Sequence, residues 1–204
     1  MGAPKAFFSY HRVAESKRMY QLLEELVQDA YYSLRSDQAL LPIYHDARQI
    51  IDSHDGWGPL ASLVDAFNHV EKSSWLVVAV DMPFLVKGDL RRLLDARTED
   101  RGITAFADEA GGVIPMPAIY EHSTARMARE LIARGRRAIK ALGDAMEPLT
   151  LKPDDIEHLK NINTPEESEL AMEASHRDGG TETIHAGSGG RRAAIQGIRP
   201  PFPP

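Results

Sequence analysis

The chain has 204 residues, 43% of them apolar and 26% charged, with a formal net charge of −6. That length and balance suit one globular domain with a sizeable core, and the acidic sign gives no electrostatic reason to bind nucleic acid or an anionic membrane surface. The sequence contains no cysteine, which removes disulfides, thiolate metal sites and cysteine nucleophiles together and fits a reducing compartment.

No apolar run approaches the roughly 20 residues that a membrane-spanning helix needs. The opening MGAPKAFFSYHR lacks the apolar stretch and cleavage site of a secretory leader. Ala6 stands where a myristoylation signal wants Ser or Thr. The expectation is a cytoplasmic protein with no membrane partner.

In chain order, ESKRMYQLLEELVQ places Met19, Leu22, Leu23, Leu26 and Val27 at helical spacing, and the aromatic AYYSL after it suits a strand. DGWGPLASLVDAFNHV reads as a turn and a helix, with Pro59 in the first turn, where its missing N–H costs least. Trp75 to Val80 form a continuous apolar run without alternation, the pattern of a strand buried on both faces. KGDLRRLLDART predicts a helix, GITAFAD a strand, and GVIPMPAIY an extended segment broken by two prolines. STARMARELIARGRRAIKAL holds one helix or two, with Gly135 at the break. EPLTLKP is a last short strand and TPEESELAMEA a last helix, with Thr164 as N-cap and Pro165 at its first position.

Strands alternating with helices imply right-handed crossovers and a mostly parallel sheet. The expected domain covers 1–174. From Ser175 the chain turns rich in Gly, Pro and polar residues without usable periodicity, and 175–204 is expected to be a flexible tail. Its GSGG has no strand leading in and no helix clearly following, so it is not read as a phosphate loop.

Candidate chemistry clusters at predicted strand ends. Asp81 follows the buried run directly, at the sheet edge where open α/β proteins bind ligands. A carboxylate there either caps the next turn or holds Mg²⁺, which takes one or two carboxylates together with phosphate oxygens and water. Asp52 follows Ile50-Ile51 in the same way, and Gly56 and Gly58 would let a ligand approach the N-terminus of the next helix, with its N–H groups and positive dipole; taken alone, the stretch is better explained as an ordinary turn. Asn161 and Asn163 precede a well-capped helix; their amides suit phosphate, sugar or metal-bound water, and TPEE is also a plain helix start. Lys5 is either solvated or a point charge near phosphates. Arg134, Arg136 and Arg137 are either a solvated helix end or an anion site. No HExxH or G-x-S-x-G pattern is present, which disfavours zinc hydrolases and serine hydrolases.

Taken in order, MGAPKAFFSYH, IIDSHDGWGPLASL, WLVVAVDMPFL and LKPDDIEHLKNINTPEE resemble the molybdenum cofactor guanylyltransferases of the nucleotidyltransferase superfamily, from Met1 to about Ala174. The resemblance implies a Rossmann-like three-layer fold and transfer of GMP from GTP to molybdopterin bearing molybdenum, with release of pyrophosphate. It implies that Lys5 contacts the GTP phosphates, that Asp52 and Gly58-Pro59-Leu60 lie by the nucleoside, that Asp81 holds Mg²⁺, and that Asn161 and Asn163 line the pterin side. Arg136 and Arg137 would receive the pterin phosphate. A molybdoenzyme or its chaperone would be the onward partner.

Members of that family begin with an apolar strand and a loop of the type L-A-G-G-x-S-x-R-M-G-x-[DP]-K, and this sequence starts inside that motif. The expectation is therefore a fold whose first strand is missing, with a start placed too late. Arg35 falls where Asn is frequent, a departure near the expected base contacts. The competing expectations are cytidylyl or sugar-phosphate nucleotidyl transfer, or a non-catalytic module that binds molybdopterin or a partner.

Overall fold

The residues Ser74–Ala79, all buried, form the strand on which the molecule is organised (β3). In this computed structural model, which describes residues 5–54, 56–161 and 193–198, the side chains of β3 alternate between two cores. Trp75 and Val77 enter one, and Leu76 and Val78 the other. A strand with a core on each face has no side to give to water, which is why its sequence is apolar without alternation.

Seven strands make one sheet, in the order β2-β1-β7-β3-β5-β4-β6. They are β1 (Asp29–Leu34), β2 (Gln49–Ile51), β3, β4 (Ile103–Ala107), β5 (Val113–Tyr120), β6 (Leu149–Leu151) and β7 (Ala193–Ile198). Helices α1 (Lys5–Glu24) and α4 (Lys87–Ala96) cover one face through Met19, Leu23, Leu90 and Leu93. Helices α3 (Pro59–His69), α5 (Ala125–Ala133) and α6 (Lys140–Ala145) cover the other through Leu60, Leu63, Phe67, Ala128 and Leu142. The short α2 (Ser36–Ala39) lies in the β1–β2 connection. The result is the expected three-layer α/β fold. None of the described helices is long and apolar enough to cross a membrane.

The sheet is more mixed than the alternation of elements predicted. β1 pairs parallel with β2, and β4 with β6, whereas β5 and β7 pair antiparallel with both of their neighbours. Five of the seven strands still run one way, so their carboxyl ends share one edge.

Three expectations change in detail. α1 begins at Lys5, ten residues before Glu15; nothing from 5 to 24 is Gly or Pro, so no residue there breaks a helix. Pro115 and Pro117 do not break β5. The pairing steps from Ala105↔Ala118 to Phe106↔Ile114, so Pro115, Met116 and Pro117 bulge out of the ladder, where a missing N–H costs no hydrogen bond. Within the tail expected to be without regular structure, Ala193–Ile198 form β7, inserted between β1 and β3 with Ala194 opposite Tyr32 and Ala193 opposite Ala79. The predicted last helix, with Thr164 and Pro165, lies outside the described residues.

At the opposite edge from the strand carboxyl ends, Glu121 is 3% exposed and takes Arg97 Nε at 2.5 Å and Nη2 at 2.8 Å. That bidentate bond raises the Arg97 pKa above the ordinary guanidinium value. Ser74 also donates to Glu121. The cluster fastens β3, β5 and the loop after α4 below the core.

Candidate active site

The carboxyl ends of β1, β2, β3, β4 and β6 meet at one edge, and most of the expected residues stand there. Asp81 comes two residues after the end of β3 and is 9% exposed. The loop that follows it is anchored by the fully buried Met82 and Leu85. Its backbone closes on itself through Leu85 N donating to Met82 O at 3.2 Å. At its far end Asp89, buried in the first turn of α4, accepts from Val86 N at 3.2 Å, a helix cap. His158 Nδ1 lies 3.1 Å from Asp89 Oδ2 and ties that cap to the segment leading to Asn161.

Asp52 follows β2. Its amide donates to Leu34 O at 2.8 Å, continuing the β1–β2 pairing. Its Oδ1 accepts from Ser33 Oγ at 2.8 Å and Ser62 Oγ at 3.0 Å. One hydroxyl comes from β1 and the other from the first turn of α3, so the carboxylate is fixed where strand and helix meet. Sequence reasoning passed over both serines. The available signal was period 2 in β1, which puts Ser33 on one face between neighbours on the other.

Gly58 is the N-cap of α3, with φ +82°. A Cβ there would lie 3.0 Å from the Arg137 carbonyl oxygen, so the turn needs glycine both for its backbone and for the close approach. Pro59 takes the first helical position and Leu60 is buried in the core. The expectation of free N–H groups at this terminus is corrected. Pro59 has no N–H; Leu60 N donates to Arg137 O at 3.3 Å; Ala61 N and Ser62 N donate to Gly58 O. These four residues leave no donor for an anion.

Arg137 is thereby brought against the Gly58-Pro59-Leu60 turn. Its guanidinium lies 5.4 Å from the Trp57 ring centroid, and His54 lies against the same ring at 4.5 Å between centroids. Arg136 is exposed beside it, with its amide bonded to Leu131 O, and Gly135 ends α5 with φ +77°. Asn161 is exposed after the 3-10 turn Ile156–Leu159. Asn163 lies outside the described residues. Lys5 is the first residue of α1, about 20 Å along the helix axis from Arg18 at 1.5 Å per residue.

A cleft of about 660 Å³ opens at the same edge, beyond the ends of β4 and β6. Asp108, Glu109, Lys152, Asp154 and Asp155 supply its charged lining. Asp108 accepts from Ala110 N and Gly112 N and shapes the β4–β5 turn, and Asp154 pairs with Arg92 at 2.9 Å.

Among the described residues no group of three or more His, Asp or Glu side chains is placed to hold a metal ion. The donor chemistry at Asp81, one nearly buried carboxylate at the ligand edge, fits a Mg²⁺ ion that arrives with phosphate oxygens and water; it does not make an all-protein cage.

An open α/β sheet with polar side chains gathered at its carboxyl edge defines a ligand-binding protein of the doubly wound class. Within that class, residues 1–149 match the MobA-like NTP transferase domain, and the chain belongs to that family. A relative from Chloroflexus aggregans named probable molybdenum cofactor guanylyltransferase is 25% identical over 76% of this chain and 78% of its own length. A Synechocystis protein named molybdenum cofactor biosynthesis bifunctional protein is 22% identical over 82% of this chain; the chain spans 48% of that longer protein. The crystal structure of molybdopterin-guanine dinucleotide biosynthesis protein A from Archaeoglobus fulgidus superposes with a TM-score of 0.66 at 21% identity, over 81% of this chain and 86% of that one. The fold is therefore that of a nucleotidyltransferase domain.

Proposed function

We propose that this nucleotidyltransferase domain moves GMP from GTP to the terminal phosphate of molybdopterin bearing molybdenum. A phosphate oxygen of the pterin attacks the α-phosphorus of GTP. The new P–O bond forms as the bond from Pα to the bridging oxygen breaks, and pyrophosphate leaves with that electron pair. A phosphate monoester is largely dianionic near pH 7, so the nucleophile needs no base. What the protein must provide is alignment and neutralisation of charge.

The observation that carries the reading is the meeting of Asp81, Asp52 and the Gly58-Pro59-Leu60 turn at one sheet edge of a MobA-like domain. Asp52, held by Ser33 and Ser62, suits the polar edge of the nucleoside. Asp81 would hold Mg²⁺, which when bound neutralises the triphosphate and the departing pyrophosphate. The role on the GTP phosphates that the resemblance implies for Lys5 is not kept, because α1 carries it about 20 Å from Arg18 and the Asp81 loop; Arg136 and Arg137 would add positive charge on the pterin phosphate. Asn161 and Asn163 would line the pterin side.

The test is turnover of GTP with molybdopterin as acceptor. Asp81→Asn should lower Mg²⁺-dependent turnover by about a hundredfold or more, the scale of losing one preorganised charge-stabilising group, with the unfolding midpoint unchanged. Turnover within a few-fold of the parent would remove Asp81 from the site. GTP should also outcompete CTP for binding; a preference for CTP would move the assignment to cytidylyl transfer.

A further inference from the structure

The loop that presents Asp81 is gripped from α1. Arg18 Nη2 donates to Met82 O at 3.2 Å and Nη1 to Leu85 O at 3.1 Å. Sixty-four and sixty-seven residues separate these partners in sequence. The other side of the guanidinium is held by Glu15, which takes Nε at 3.0 Å and Nη2 at 2.5 Å. One planar fork thus spans two carbonyls three residues apart, and the first belongs to the residue next to Asp81. A lysine, a single point of charge, could not span both with fixed geometry.

The rest of the loop is secured by other means. The side chains of Met82 and Leu85 are fully buried, and Val86 N is capped by Asp89, itself held by His158. Packing fixes the depth of the loop and the cap fixes its exit into α4. Neither sets the carbonyl directions on the side nearest Asp81; the guanidinium does, sharing Met82 O with the Leu85 N–H and taking Leu85 O besides.

We infer that Arg18 is a positioning residue for Asp81. It holds the turn so that the carboxylate meets an incoming metal–nucleotide complex in one orientation, and Glu15 keeps the fork aimed. This rests on the proposed metal-holding role of Asp81, and the experiment separates the two. The contacts of Arg18 are to Glu15 and to the loop's backbone carbonyls, so it acts on Asp81 through the loop.

The readout is the gain in GTP affinity conferred by Mn²⁺, taken as the ratio of calorimetric dissociation constants without and with the metal, on the full chain. Hydrogen exchange of the 82–86 amides is followed in parallel. Asp81→Asn should erase the gain. Arg18→Met should cut it about tenfold, the scale seen when an outer-shell partner of a metal ligand is lost. It should also speed exchange in 82–86, leave metal-free GTP affinity unchanged, and lower kcat more than it raises KM. Arg18→Lys should recover part of the gain. If Arg18→Met kept the full gain, Arg18 would be an ordinary half-exposed ion pair and the inference would be overturned. If Asp81→Asn kept it too, the metal reading of Asp81 would fall as well, while the exchange data would still report whether Arg18 holds the loop. Should Arg18→Met fail to fold, Glu15→Gln, which loosens the fork without removing it, should lower the gain by about threefold; no change there would overturn the inference equally.

Discussion

Two loops at the carboxyl edge present a carboxylate, and they are built on different principles. The one after β3 hangs Asp81 from the core: Met82 and Leu85 are fully buried, and charged groups from α1 and α4 bind its backbone. The one after β2 holds Asp52 by hydroxyls from Ser33 and Ser62 and turns into α3 through a positive-φ glycine pressed on a carbonyl. Apolar burial sets the depth of the first and charged side chains hold its backbone, whereas hydroxyls and backbone shape fix the second. Under the proposed function, a group that must meet a multiply charged complex gains from a rigid mount, whereas one that reads a nucleoside edge needs only to be aimed.

Three substitutions sharpen the contrast, from the largest stability effect to the smallest. Leu85→Ala empties a fully buried site under the Asp81 loop and should cost about 2–5 kcal/mol in denaturant unfolding; a loss under 1 kcal/mol would show that the loop does not hang from the core. Gly58→Ala forces a side chain into the left-handed region and against Arg137 O, and should cost about 1–3 kcal/mol. Its thermal unfolding midpoint reports this, with weaker nucleotide binding expected alongside. Ser62→Ala removes one of the two hydroxyls on Asp52 and should cost about 1 kcal/mol at most, with a few-fold rise in KM for GTP. Equal losses for Ser62→Ala and Leu85→Ala would abolish the distinction between the two mounts.

Much of the architecture was legible because it depends on local pattern. The run Trp75 to Val80 announced a strand with two buried faces, Pro59 the start of α3, and Gly135 the break between α5 and α6. Asp81 and Asp52 were legible as strand-end carboxylates for the same reason. The prolines of β5 misled because a bulge opposite Ala105 and Phe106 accommodates them, and a bulge has no local signature in a partner 10 residues away. β7 was missed because AAIQGI alternates too little to stand out beside its Gly- and Pro-rich surroundings; β1 and β3 supply its hydrogen-bonding partners.

The order of the main helices and strands from α1 to β6, the two-faced burial of β3 and the candidate carboxylates were thus legible in the sequence alone, since periodicity and turn chemistry act over a few residues. The closing of the α3 terminus by Arg137, the pairing of Ser33 and Ser62 on Asp52, the grip of Arg18 on the Asp81 loop and the neighbours of β7 were decided only in the tertiary structure. Each is a contact between groups that chain folding alone brings within hydrogen-bond reach, and no local pattern encodes which distant carbonyl or hydroxyl will arrive.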